Sequence, residues 1–598
     1  MQMIKPVFSA FVIAVLAFAA FGARPQGERM NLWPEGKMPD AQGHLIAEMT
    51  DVAGRPGFKP EEHRDPYLEW HAAPSNACGV CVILISGGGY DGLCDIGLIE
   101  YWQRKFAALG CQTVNLVYRS PRPKGLEFYR TAWEDGQRAV RLVRSEAAKR
   151  GFSPDKIGTC SMSAGSHLAT LLATSSLTPA YAAVDELDVA VPCHLNFAVT
   201  CAIAYALTDG LGKPNSRGGD AADARLDDCF RFDMRTAPMC MFHGGADEYS
   251  PIASTRVFRR LHAMKVPAEL HLFADRGHGF FGGHEGLETS TGYDNWFGRA
   301  EEFLNELGIL PGAAREQEEL LKRFPDDDAR ANYEKFELWP AGKMPDPVDG
   351  IEAPYLEWHT PKELKTKAIQ IVYSGGAYCG NSPESFEVTP IRRYLNAKGM
   401  TVVTMKYRCV RPPRTPLAKH TRAWQDLQRT VRLVRSEAVK RGLDPDRIGI
   451  MGSSAGGHLT LMGALSSRHR AYLGTDEIDR LPAKVNWAVA IYPAYVLSDG
   501  FDDCNSIRGD SDLLTLAPEF DFDFDSAPML FIHGDEDVYS PLGSVRVWER
   551  LRTLGVGSDL HLLARRNHCF QNVSRAGTGS YTWMDRIWEF MNHKGFNR

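Results

Sequence analysis

The residues best suited to chemistry form two sets of three. Gly452-Ser-Ser-Ala-Gly456 lies between an apolar run, Ile448-Gly-Ile-Met451, and a segment of helical spacing that starts near Gly457. A serine on a tight strand-to-helix turn exposes its hydroxyl, and the next residue's N–H faces the oxygen of a bound acyl group. Small neighbours are needed because the turn crowds them. Ser161-Met-Ser-Ala-Gly165 holds the same place earlier in the chain, with Ser161 for the leading glycine. His243-Gly-Gly-Ala-Asp247 and His533-Gly-Asp-Glu-Asp537 each follow a later apolar run, and Gly277-His-Gly-Phe280 and Asn567-His-Cys-Phe570 follow the last one. Ser163 to Asp247 is 84 residues and Ser454 to Asp537 is 83, while the steps from Asp247 to His278 and from Asp537 to His568 are both 31. In this order the carboxylate fixes the imidazole tautomer, the imidazole accepts the serine proton, and the serine attacks an acyl carbon.

A tetrahedral intermediate also needs donors for its oxyanion. Ser86-Gly-Gly-Gly-Tyr90 and Ser374-Gly-Gly-Ala-Tyr378 close an early apolar run, where missing or small side chains let backbone N–H groups approach. The candidate donors are Gly88, Gly89 and Ala164 in the first set, and Gly376, Ala377 and Ala455 in the second. His167 and His458, four residues past the serines, read as packing or capping residues, and His243 and His533 as residues that orient the aspartate loop. Asp535 is a rival that could partly substitute for Asp537, although only Asp537 aligns with Asp247. The acidic run Asp521-Phe-Asp-Phe-Asp525 lacks EF-hand spacing and reads as a solvated loop. With no HExxH, Walker A or dinucleotide fingerprint, neither a metal nor a cofactor is expected.

These side chains need a scaffold that brings strand ends together. Val80–Ser86 and Thr113–Tyr118 are continuous strand-like runs, and Thr131–Arg150 has apolar residues at helical spacing. Ile157–Cys160 leads into Ser163, Ala164–Ser175 reads as a helix, and Cys240–Phe242 and Leu270–Phe273 read as late strands. Buried strands separated by helices predict an α/β fold, a mostly parallel sheet with helices on both faces. The whole pattern occurs twice. Leu32-Trp-Pro-Glu-Gly-Lys-Met-Pro-Asp40 returns as Leu338-Trp-Pro-Ala-Gly-Lys-Met-Pro-Asp346, and Val140-Arg-Leu-Val-Arg-Ser-Glu146 as Val431-Arg-Leu-Val-Arg-Ser-Glu437. The period, about 290, is a whole domain and not a solenoid unit. The predicted organisation is a signal peptide at 1–22, a first domain at 30–310, a linker at 311–332 and a second domain at 333–598, each domain with its own sheet and able to fold separately.

Composition narrows the function classes. The 598 residues are 44% hydrophobic and 24% charged, which excludes wholesale disorder. Lys+Arg 68 against Asp+Glu 74 leaves no basic excess for neutralising phosphates, so nucleic acid is not an expected partner. Val7–Phe21 is an apolar run behind Lys5, with small residues at Ala20 and Gly22, the pattern of a secretory signal. A secreted or periplasmic protein, off the membrane after cleavage, is the expectation. The 13 cysteines leave at least one thiol unpaired, and the lone CxxC at Cys78-Gly-Val-Cys81 is too weak to read as a metal or redox motif.

Both copies resemble the α/β-hydrolase fold, and within it the bacterial acetyl-xylan/feruloyl esterase-like (BD-FAE-like) family. The likeness rests on the opening Leu-Trp-Pro-x-Gly-Lys-Met-Pro, the Gly-rich strand-loop, Tyr118-Arg119 and Tyr407-Arg408, the Ala-Trp-x-Asp helix, Ser-Ala-Gly, His-Gly-x-x-Asp and Gly-His-Gly-Phe. It implies a secreted serine esterase that removes acetyl or feruloyl groups from plant-type polysaccharides or related small esters, without a cofactor. The substrate is then an acylated carbohydrate or small ester. A prolyl-oligopeptidase-like peptidase, or one active domain with a degenerate partner used for binding, are the alternatives.

Overall fold

The computed structural model describes residues 27–41, 63–93, 96–208, 214–215, 224–280, 295–311, 333–412, 414–498, 514–572 and 582–598. The expected signal at 1–22 and all but the first residue of the expected linker lie outside them. In the first half the main strands are β1 (Glu28–Asn31), β2 (Tyr67–Trp70), β3 (Cys81–Ile85), β4 (Gln112–Val117), β5 (Ile157–Met162), β6 (Phe197–Cys201), β7 (Met239–Gly244) and β8 (Ala268–Phe273). In the second they are β9 (Tyr333–Glu337), β10 (Tyr355–His359), β11 (Ile369–Tyr373), β12 (Thr401–Lys406), β13 (Ile448–Ser453), β14 (Trp487–Ile491), β15 (Met529–Gly534) and β16 (Asp559–Leu563). From the outer edge inward the first half runs β1-β2-β4-β3-β5-β6-β7-β8, and the second runs β9-β10-β12-β11-β13-β14-β15-β16. The two outermost pairings in each half are antiparallel and the rest of each half is parallel.

Strands covered on both faces read as unbroken apolar runs, and β3 shows why. Cys81, Ile83 and Ile85 face one core and Val82 and Leu84 the other. The first core is closed by α2 (Arg130–Ser145), α3 (Ala164–Thr174) and α4 (Ile252–Ala263), and the second by α1 (Ile96–Ala108) and α5 (Trp296–Glu306). The second half repeats the plan with α6 (Thr389–Ala397), α7 (Thr421–Lys440), α8 (Ala455–Leu465), α9 (Leu542–Thr553) and α10 (Trp583–Lys594). The repeated opening motif has a structural job. The Trp33 indole donates to Asp135 on α2 at 2.8 Å, and Arg119 donates to the same carboxylate. Trp339, Arg408 and Asp426 repeat the arrangement.

The two sheets do not stop at the domain boundary. β8 pairs antiparallel with β16, with Leu270 opposite Leu562, His271 opposite His561 and Leu272 opposite Leu560, so that sixteen strands form one sheet. On one face the four leucines merge the cores of the two halves. On the other face Nδ1 of His271 lies 2.9 Å from Nδ1 of His561, so that each histidine meets its own counterpart. The flanking ion pairs are reciprocal: Arg299 of α5 meets Glu589 of α10, and Arg586 of α10 meets Glu302 of α5. A seam in which a patch pairs with its own repeat is the isologous geometry of a two-fold dimer. The expectation of a separate sheet in each domain is corrected here: each half keeps its eight strands, but their inner edges are joined.

Candidate active site

Each predicted serine sits between a parallel strand and a helix, at the C-terminal end of β5 or β13. Ser163 has φ 57° and ψ −125°, and Ser454 has φ 55° and ψ −121°, left-handed conformations that cost non-glycine residues energy. The turn is held by β6 and β14, whose Cys201 and Ile491 carbonyls each accept the serine N–H at 3.0 Å. Ala164 and Ala455 begin the following helices, where N–H groups have no partner inside their own helix. A side chain at Gly452 would stand 2.5 Å from both the Gly456 carbonyl oxygen and the Tyr373 ring, so glycine is required there. Where the first half has Ser161, the residue in the place of Tyr373 is the smaller Ile85, and the Ser161 hydroxyl donates to the Val199 carbonyl at 3.1 Å.

The structure brings both sets of three together. Nε2 of His278 lies 2.9 Å from Ser163 Oγ, and its Nδ1 lies 2.9 Å from Asp247 Oδ2. Nε2 of His568 lies 2.8 Å from Ser454 Oγ, and its Nδ1 lies 2.9 Å from Asp537 Oδ2. Each aspartate also accepts a backbone N–H, from Tyr249 or Tyr539, at 2.8 Å. Nε2 of His243 and of His533 lies 3.3 Å from its aspartate, while their Nδ1 atoms meet Ser254 and Ser544 on α4 and α9. Burial alone would raise the Asp247 carboxyl, but the hydrogen bonds from His243 and His278 outweigh it and hold the group well below the ordinary carboxylate range. Asp537 is lowered through the same balance with His533 and His568.

Asp535 is not part of this arrangement. Its Oδ2 accepts the N–H of Ala268 at 3.2 Å, across the seam in the first half. The expectation that it could stand in for Asp537 fails because its carboxylate is committed to β8. Burial raises the Asp535 carboxyl to about 7, and its Oδ1 has no hydrogen-bond partner.

The Gly-rich loops after β3 and β11 lie against the serines. Gly88 (φ 121°), Gly89 (φ 67°), Gly376 (φ 97°) and Ala377 (φ 54°) all take left-handed backbone conformations there. Arg122 donates to the Gly89 carbonyl at 2.9 Å and Arg411 to the Ala377 carbonyl at 3.3 Å, which fixes the loops from outside. Sequence reasoning passed over the first glycine of each run. A Cβ on Gly87 would stand 2.8 Å from Ser163 Cβ, and one on Gly375 would stand 2.6 Å from Ser454 Cβ. It also missed Tyr249 and Tyr539, whose rings lie 4.8 and 4.9 Å from the rings of His278 and His568.

Beneath the second loop sits a polar group that the first half lacks. Glu387 is buried and accepts from the Gly375 N–H at 2.7 Å and from the Tyr492 hydroxyl at 3.0 Å. Tyr492 corresponds to Ala202, so no local comparison of the two copies would have suggested the bond. The Gly375 N–H is thereby occupied. His167 and His458 are both buried one turn past the serines, each with Nδ1 against a tyrosine hydroxyl, Tyr90 at 2.9 Å and Tyr378 at 2.8 Å. Asp521, Asp523 and Asp525 pair with His469, Arg468 and Lys484. Two clusters among the described residues could offer metal ligands: Cys240, Glu269 and His271 at the seam, and His420, His458 and Glu519 beside α8.

The BD-FAE family model matches residues 71–203 and 356–499, once in each half. Among curated proteins, endo-1,4-beta-xylanase B of Butyrivibrio fibrisolvens is 25% identical over 231 residues, 35% of this chain and 35% of that protein. The match therefore spans about a third of the relative's length. Among solved structures, the acetyl ester-xyloside bifunctional hydrolase of Caldicellulosiruptor lactoaceticus is 21% identical, with TM-score 0.36, covering 48% of this chain and 100% of that one. Thermogutta terrifontis esterase 2, phosphonylated by cyclosarin, is 22% identical, with TM-score 0.36, covering 44% of this chain and 96% of its own.

Proposed function

On the footing that the chain is a tandem pair of BD-FAE-like α/β-hydrolase domains, we propose that each half is a serine esterase acting on acyl groups carried by polysaccharides, acetyl or feruloyl, or on related small esters. The observation that carries this reading is the unbroken Ser–His–Asp hydrogen-bond chain in both halves, with the serine in a strained turn. In the proposed reaction Ser163 or Ser454 Oγ attacks the ester carbonyl while Nε2 of His278 or His568 takes its proton. Asp247 and Asp537 hold the proton on Nδ1 and balance the imidazolium that forms. The N–H groups of Ala164 and Ala455, with those of Gly88, Gly89, Gly376 and Ala377, are the proposed oxyanion donors. Collapse of the intermediate expels the sugar hydroxyl, which recovers its proton from the histidine, and water then releases the acid by the same steps in reverse.

The run at Val7–Phe21 supports export, and with it an extracellular or periplasmic polysaccharide as the place of work. A panel of p-nitrophenyl acetate, acetylated xylan, methyl ferulate and a prolyl peptide anilide tests the reading. Turnover of the esters with none of the anilide is the expected result, and turnover of the anilide alone would overturn it.

A further inference from the structure

We propose that the second half, and not the first, carries a site for a divalent transition ion of the zinc class, built from His420, His458 and Glu519. The three residues come from separate segments: His420 immediately precedes α7, His458 lies in the first turns of α8, and Glu519 follows the short strand Thr515–Leu516. Their ligand atoms all lie within 4.8 Å of one another. Nε2 of His458 is 2.9 Å from Glu519 Oε1, and Nδ1 of His420 is 3.7 Å from the same oxygen. Tetrahedral zinc with bonds of about 2.0–2.1 Å separates its ligand atoms by about 3.3 Å, and the two observed separations bracket that value.

Three further observations fit the same ion. Nδ1 of His420 is buried and makes no hydrogen bond, an unsatisfied ring nitrogen at the mouth of the cluster. The far nitrogen of His458 is held by the Tyr378 hydroxyl at 2.8 Å, the kind of outer contact that fixes a metal-binding imidazole with its other nitrogen facing inward. His420 and Glu519 each keep 16% of their side-chain surface, which gives an ion a way in. Two histidines and a carboxylate suit zinc and its neighbours better than calcium or magnesium, which prefer oxygen ligands throughout. The first half supplies the contrast. The places of His420, His458 and Glu519 are held there by Tyr129, His167 and Cys229, and Cys229 Sγ is 3.9 Å from His167 Nε2. One ligand of the three is missing, and the first half should not bind.

An ion at this point would tie the N-terminal end of α7 and the Phe520 segment to the helix that carries Ser454. The test is calorimetric titration of the full, tag-free chain with ZnCl₂, read alongside the visible absorption of the Co²⁺ form. We expect one tight site per chain. His420→Tyr, which copies the residue tolerated in the first half, and Glu519→Gln should each weaken it by about 100-fold or more and abolish the Co²⁺ bands. Tyr378→Phe should weaken it by about 10-fold, and Cys229→Ala should leave it unchanged. Zinc stoichiometry and affinity that are the same in wild type and His420→Tyr, or a wild-type Kd above about 1 μM, well above the tens of nanomolar that about 10 kcal/mol implies, would overturn the proposal.

Discussion

Replacing each triad aspartate by asparagine should cost the two halves the same activity. In each site one carboxylate oxygen accepts the Tyr249 or Tyr539 N–H at 2.8 Å, and the carboxylate stands 2.9 Å from the histidine Nδ1. An asparagine that keeps the backbone bond through its oxygen must turn its NH₂ toward Nδ1. The imidazole then carries its proton on Nε2, facing the serine, and cannot accept another. In a serine protease this wrong tautomer costs about 10⁴-fold, which is about 5.5 kcal/mol at about 1.36 kcal/mol per decade. The Nδ1–Oδ2 and Nε2–Oγ distances in the two halves agree within 0.1 Å, so equal losses follow. Because Asp535 is bonded to Ala268 across the seam, it offers the second half no rescue. Both wild-type carboxyls are held below their ordinary range, so they remain ionised throughout pH 5–8. The assay measures kcat/KM on p-nitrophenyl acetate with the full chain, placing Asp247→Asn in a Ser454→Ala background and Asp537→Asn in a Ser163→Ala background. A loss at Asp537 ten times smaller than at Asp247 would refute the placement of Asp535. Losses under tenfold in both would refute the role given to the carboxylates.

Ser163→Ala and Ser454→Ala should each remove one half's turnover, by about 10⁶-fold in kcat, and the double variant should be inert in the same assay. Gly375→Ala places a methyl 2.6 Å from Ser454 Cβ and must push the serine by about 1 Å, a misplacement that costs about 10²-fold. The same methyl stands 2.7 Å from the Ser453 carbonyl oxygen, so calorimetry should also show a lower thermal midpoint, a destabilisation of about 1–3 kcal/mol. Asp535 has a carboxyl raised to about 7 from an ordinary value near 3.8, so its stabilising share is full below the lower value and is lost as pH rises through the upper one. The Tm of Asp535→Asn should therefore fall less than that of wild type between pH 4 and pH 8, and parallel pH profiles would exclude the assignment.

The chain made its chemistry legible because it states it twice. Serine, aspartate and histidine recur at matched spacings, and the apolar runs before them named the strands that carry them. What stayed hidden depends on contacts between distant segments. Leu270–Phe273 reads as a late strand, but no local periodicity says that its free edge meets that of Asp559–Leu563 in the other half. Alignment with Asp247 picks Asp537 over Asp535, but only the fold shows that the Asp535 carboxylate turns to the neighbouring half. Ser161 in place of Gly452 is a departure that goes with a second one, Ile85 where the second half has Tyr373.

The joined edges set how this molecule meets other copies of itself. The outermost strands, β1 and β9, are mostly exposed and charged, with Glu28, Arg29, Glu334, Lys335 and Glu337, and such edges discourage strand addition. The inner strands β8 and β16 are wholly buried and largely apolar. Released from its mate, either half would carry an adhesive strand edge that matches its own sequence under a two-fold rotation, and self-association would follow. Joining the halves in one chain raises the effective concentration of the matching edge to about the millimolar range typical of tethered partners. Dilution, which would dissociate a pair of separate subunits, leaves this seam closed.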